Sequence, residues 1–87
     1  QRSKAISAYR HINRKAIQKA MPGSLLFTFS CSQVVDKESF TGIVLSAAIE
    51  AGREVRILHH LRQSPDHPVS IFHPEGEYLK GLALYIP

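Results

Sequence analysis

The sequence predicts an α/β fold: three strands, the last antiparallel, with two helices. Three observations carry that prediction. Apolar residues recur at three- and four-residue steps in two stretches, 5–20 and 36–51. Between them lies a short run that is apolar almost throughout, Leu25-Leu26-Phe27-Thr28-Phe29. Two later segments, 54–61 and 79–86, are short and extended in pattern, and a connection punctuated by Pro and Gly separates them. Helical and extended segments that alternate along a chain build one sheet with helices packed on it.

From Ala5 to Ala20, the residues Ile6, Tyr9, Ile12, Ala16, Ile17 and Ala20 make one face of a helix, with Arg10, Arg14, Lys15 and Lys19 on the other. Pro22-Gly23 ends it, because Pro cannot continue a helix and Gly accepts the turn. Ser24 to Ser30 is the first strand. Its nearly unbroken apolar character predicts cover on both faces, the habit of a central parallel strand. Asp36 suits an N-cap, and Val35 and Phe40 are spaced for the flanking hydrophobic staple. Phe40, Ile43, Val44, Ala47, Ala48 and Ala51 then give the apolar stripe of a second helix, with Gly52 at its C′ position. In the second strand, Glu54 to Leu61, alternation puts Val55, Ile57 and Leu61 on one side and Arg56, Leu58 and His60 on the other. Leu79 to Ile86 is the third strand. The strand–helix–strand unit predicts a parallel crossover, joined by the last strand in the opposite direction. The Leu25–Phe29 edge is then open, and an open apolar edge predicts pairing with further strands or with a second copy of the chain.

The composition, 44% apolar and 21% charged over 87 residues, is that of a soluble globular domain. No apolar stretch reaches the roughly 18 residues of a membrane helix. A lone cysteine makes no internal disulfide, so a reducing, cytoplasmic setting is expected. The formal net charge is +4, and six of the eleven basic residues precede Pro22, where there is no acid. An anionic partner suits that balance, although a helix face of this kind is more often simply solvated.

Three segments carry a resemblance when read together: Leu26-Phe27-Thr28-Phe29-Ser30-Cys31-Ser32, then Pro65-Asp66-His67-Pro68, then Glu77-Tyr78-Leu79-Lys80-Gly81-Leu82. In order and spacing they resemble the C-terminal end of class I S-adenosylmethionine-dependent methyltransferases, in particular the bacterial cytosine-5 enzymes that act on large-subunit ribosomal RNA. The resemblance covers nearly the whole chain. It implies a Rossmann-like, seven-stranded sheet of which this chain holds the fifth, sixth and seventh strands, the last two antiparallel. Residues 1–87 would then be a C-terminal fragment of a catalytic domain whose cofactor-binding half is absent. No Gly-rich loop follows a first strand here, and no Asp-Pro-Pro segment follows a fourth. S-adenosylmethionine would therefore be held mainly by other parts of a longer polypeptide, and the isolated segment is expected to be inactive.

The same resemblance implies a role for Cys31. Carbon 5 of cytosine is a poor nucleophile, and addition of a thiolate at carbon 6 turns the ring into an enamine that can take up a methyl group. Loss of the carbon 5 proton and elimination then free the sulfur. A thiolate suits this because it is a soft nucleophile and also a workable leaving group. Ser30 and Ser32 flank it as candidate substrate contacts. Asp66 and His67 lie in the connection that can reach the base, where His67 can hydrogen-bond or move a proton. Composition alone favours an inert, buried Cys31 and a core Phe29 rather than a base-stacking one. Four histidines, His59, His60, His67 and His73, raise a metal reading, but adjacent strand residues point to opposite faces, so no metal is expected. Ribosomal RNA is the expected partner. The alternative is a non-catalytic basic α/β module that binds RNA or a protein through its first helix and open sheet edge.

Overall fold

A computed structural model of the chain describes residues 2–63, 68–72 and 78–87. Its elements in order are α1 (Arg2–Lys19), β1 (Ser24–Ser30), α2 (Lys37–Ala51), β2 (Arg56–Arg62) and β3 (Lys80–Ile86). They follow the expected order, with ends moved by at most three residues. The helix limits have local causes. Gly23, at φ 82°, makes the turn between α1 and β1. Asp36 is extended, at φ −79° and ψ 175°, and its carboxylate accepts the Ser39 N–H at 2.7 Å. Gly52 closes α2 in the left-handed region, its N–H donating back to the Ala48 and Ile49 carbonyls. Val35 and Phe40 are both buried in one cluster, as the staple requires.

The strand order is β1-β3-β2, with β3 antiparallel to both neighbours. β1 and β2 therefore run parallel to one another, as the crossover predicts, but they do not pair. The last strand lies between them. Side-chain character explains the placement. Leu82, Ala83, Leu84 and Ile86 in β3 are all almost fully buried, whereas β2 (Arg-Ile-Leu-His-His-Leu-Arg) is exposed along most of its length and takes an edge. A strand apolar on both faces gains most from the central position.

Both helices lie on one face of the sheet. In register, Ser24, Leu26, Thr28 and Ser30 of β1 pair with Ile86, Leu84, Leu82 and Lys80 of β3. These residues face the helices, where Leu82 and Leu84 join Val35, Phe40, Ile43 and Val44 in one core cluster, and Ile86 joins Ile17, Ala47 and Ala48 in another. Leu26 touches both clusters. Tyr9 of α1 meets Phe40 edge-on, with centroids 6.1 Å apart. Asn13 is buried between α1 and β1, donating to the Tyr9 carbonyl at 2.8 Å and accepting the Thr28 hydroxyl at 2.6 Å. The Arg53 guanidinium donates to the Ile17 carbonyl at 2.8 Å and to that of Ala20, tying the end of α1 to the chain that leaves α2.

Four sequence expectations are corrected. Cover on both faces of β1 is met on one face only in this chain: Leu25, Phe27 and Phe29 are 57%, 57% and 48% exposed, and Phe29 is half open instead of core. The alternation expected in β2 is broken by a bulge between Ile57 and His59. The extra residue puts Ile57 opposite Leu84 and Leu61 opposite Gly81, on different faces of the sheet instead of the same one. Ile12, counted on the apolar face of α1, is 61% exposed, and the buried position on that turn belongs to Asn13.

Candidate functional site at the rim of the sheet

The carboxyl end of an inner parallel-type strand is where open α/β sheets bind ligands, because helix N-termini and loops converge there. At the carboxyl end of β1, Ser30 is 2% exposed and its hydroxyl accepts the Ser32 N–H at 3.2 Å. The Ser32 hydroxyl accepts the Val34 N–H at 3.3 Å. The Ser32 carbonyl accepts the Lys80 ammonium at 2.6 Å and the Val35 N–H at 3.4 Å. Val35, fully buried, then anchors the entry to α2. The short segment 30–36 is thus pinned at both ends and along its length, and Cys31 is a free, exposed thiol carried on it.

Charged groups gather on the same rim. The Arg2 guanidinium, at the start of α1, donates to the Ser39 hydroxyl at 2.9 Å in the first turn of α2. The Asp36 carboxyl is held below its usual range, first by the hydrogen bond from the Ser39 backbone, then by the Ser39 hydroxyl; desolvation opposes them, and Arg2 and Lys80 add weaker attraction. Farther along α1, Arg10 and Arg14 approach Glu50 of α2 at 3.5 Å each. That part of the basic face pairs with α2; such exposed pairs contribute at most about 1 kcal/mol.

Beside the rim lies a cleft of about 530 Å³ between the start of α2 and the β2–β3 pair. Asp36, Lys37, His60, Arg62 and Lys80 supply its polar wall, and Phe40 and Leu82 supply apolar floor. Cys31 is not in its lining. The structure therefore brings Ser30, Cys31 and Ser32 together on one turn and sets the cationic cleft next to that turn. Asp66 and His67 lie outside the described residues. His59 and His60 occupy opposite faces of β2, opposite Ala83 and Leu82 respectively. Among the described residues, no three His, Cys, Asp or Glu side chains cluster as a metal set, and no helix is long and apolar enough to cross a membrane.

Two features were not anticipated from the sequence. Lys80 reaches across from β3 to the turn that carries Cys31. The Phe29 ring lies over Gly81, where an added Cβ would sit 2.6 Å from the ring. Register reveals both, since Ser30 pairs with Lys80 and Phe29 with Gly81; the cue in the sequence is a Gly directly after a Lys at the start of an apolar strand.

An antiparallel last strand inserted beside a parallel-type strand, with two helices on one face, matches the C-terminal part of a methyltransferase fold. Superposition agrees. SMU.776, a methyltransferase candidate solved in complex with SAH, matches with a TM-score of 0.72 at 16% identity, over 92% of this chain and 20% of that one. That likeness establishes the fold. Sequence similarity is more specific. The chain is 50% identical over 80 residues to ribosomal RNA large subunit methyltransferase I of Pseudoalteromonas atlantica, and 48% identical over 79 residues to the protein of the same name from Salmonella arizonae. Those matches take in 92% and 91% of this chain, and in both cases 20% of the relative, so the chain spans about a fifth of the length of the curated relatives it matches. No family model matches it.

Proposed function

We propose that this chain is the C-terminal part of an S-adenosylmethionine-dependent RNA methyltransferase that modifies carbon 5 of a cytosine in large-subunit ribosomal RNA, with Cys31 as covalent nucleophile. The observation that carries the reading is the exposed thiol on the carboxyl rim of β1, set on a turn fixed by Ser30, Ser32 and Val35. A buried cysteine among aliphatic side chains has no access to a base; this one is open to it. The half-identity to ribosomal RNA large subunit methyltransferase I supports both the reaction class and the RNA substrate.

The residues present do not fit S-adenosylmethionine. No Gly-rich loop follows any of the three strands, and the carboxylate on the rim, Asp36, is engaged in capping α2. The cofactor therefore belongs to the remainder of a longer polypeptide, and the catalytic domain is shared between that remainder and this segment. What this chain contributes is the sulfur. A target base flipped out of its stack meets Cys31 at the rim. The thiolate bonds to carbon 6, and the ring electrons pass to carbon 5. Carbon 5 would then take the methyl group from the sulfonium of S-adenosylmethionine, with the thioether as leaving group. A base removes the carbon 5 proton, the electrons of that C–H bond re-form the C5–C6 double bond, and the carbon–sulfur bond breaks with its electron pair returning to sulfur. Ser30 and Ser32 keep the nucleophile on its turn, and Asp66 and His67 are further candidate contacts to the base. Cys31→Ala in the longer polypeptide abolishes methyl transfer to RNA on this reading; turnover by that variant refutes it.

A further inference from the structure

We propose that Lys80 is the positioning residue for Cys31, an inference that rests on the nucleophile reading above. Lys80 is the first residue of the central strand, directly opposite Ser30 in register. Its ammonium lies 2.6 Å from the carbonyl oxygen of Ser32, the residue after Cys31. A hydrogen bond from an ionised donor is shorter and stronger than one between neutral groups. The other bonds that shape this turn run from 3.2 to 3.4 Å: Ser32 N–H to the Ser30 hydroxyl, Val34 N–H to the Ser32 hydroxyl, and Val35 N–H to the Ser32 carbonyl. Lys80 therefore supplies the tightest restraint on the peptide that follows the nucleophile.

Among the described residues Lys80 forms no ion pair, and the Asp36 carboxylate that it attracts is capped by the Ser39 N–H. Its strand is paired on both edges, by β1 and by β2, so the backbone from which the side chain reaches Ser32 is held within the sheet. The consequence is mechanical. Buried Ser30 and Val35 fix the ends of the turn, and Lys80 fixes its middle, so the sulfur approaches a base from one direction. A nucleophile misplaced by about 1 Å loses on the order of a hundredfold in rate.

The test uses the longer polypeptide with Lys80→Met, which keeps the reach and removes the donor, and Lys80→Arg, which keeps the donor. We expect kcat for methyl transfer to fall roughly ten- to a hundredfold in Lys80→Met, with KM for RNA and for S-adenosylmethionine within about twofold, and Lys80→Arg to recover most of the loss. Formation of the covalent adduct with RNA containing 5-fluorocytosine slows in parallel. Lys80→Gln, whose amide stops short of Ser32, gives the same loss and serves if Lys80→Met does not fold. Unchanged kcat, a loss confined to KM, or equal inactivity of the Met and Arg variants overturns the inference. An active Cys31→Ala overturns the nucleophile reading itself; an inactive Cys31→Ala beside a fully active Lys80→Met overturns the role of Lys80 alone.

Discussion

The packing of Phe29 on Gly81 allows a quantitative test of the open sheet face. An ideal Cβ on Gly81 would stand 2.6 and 2.7 Å from Cδ1 and Cε1 of Phe29 and 3.1 Å from Cβ of Leu61. The first two contacts are too short to persist, so in Gly81→Ala the ring must move. It can do so, because it is 48% exposed and bordered by solvent. The Leu61 contact is set by the backbone of β2 and relaxes only by a small shift of that edge strand. Overpacking costs about 1–3 kcal/mol, and the mobile ring puts this case near the lower end. Ala in place of Gly in a strand returns roughly 0.5–1 kcal/mol of backbone entropy. The net expectation is a loss of about 0.5–1.5 kcal/mol, or several degrees in Tm for a chain of this size. In a Phe29→Ala background the ring is gone, the Leu61 contact alone remains, and Gly81→Ala becomes neutral or stabilising. Urea unfolding of the four proteins in this double-mutant cycle gives the coupling directly, expected at about 1 kcal/mol. Equal effects of Gly81→Ala in both backgrounds would refute the cross-strand contact.

Other outcomes follow from the same structure. Leu84→Ala, at a fully buried site, should cost about 2–5 kcal/mol in urea unfolding, while Leu45→Ala, at a site 61% exposed on α2, should stay within about 0.5 kcal/mol. Because folding lowers the Asp36 pKa, its contribution is complete above the ordinary carboxylate range and is lost as pH falls through the folded value. Asp36→Asn should therefore flatten the acid side of the stability profile while the neutral side keeps a cap; an unchanged acid slope would count against it. Cys31, exposed in the folded chain, should react with a disulfide reagent at the same rate with and without denaturant, and strong protection in the native state would contradict the rim placement. The segment alone should self-associate through the exposed face and free edge of β1, with Phe27→Lys restoring the monomer in sedimentation equilibrium.

Much of the fold is visible in the sequence because local chemistry determines it. Asp36 before the Phe40–Ala51 stripe and Gly52 after it define α2 with no knowledge of its neighbours, and the caps are realised. Position within the sheet is a different kind of information. That β3 separates β1 from β2 depends on which strand gains most from burial on both edges, a comparison between segments distant in the chain. The bulge at Ile57–His59 is invisible to alternation for the same reason: it adjusts β2 to β3, and the mismatch exists only once they pair. Likewise the apolar run Leu25–Phe29 correctly marks a strand, but its bare face reflects what is packed on the sheet. Of the candidate site, the sequence points to Cys31 and its flanking serines; the bond from Lys80 to the Ser32 carbonyl, 48 residues away, becomes visible only in the fold.

The antiparallel direction of β3 joins these points. A parallel strand beside β1 would bring its carboxyl end to the rim and its first residue to the opposite edge. Because β3 runs the other way, its first residue arrives where β1 finishes, and Lys80 stands opposite Ser30. The strand that completes the core through Leu82, Leu84 and Ile86 thus also begins at the turn carrying Cys31. One side chain from that strand tethers the turn, and the next residue, Gly81, seats the Phe29 ring just before it. A register slip of one residue would exchange the faces of β3, moving Leu82 and Leu84 out of the core and turning Lys80 away from Ser32. The same hydrophobic pattern that secures the centre of the sheet therefore fixes the geometry at its rim.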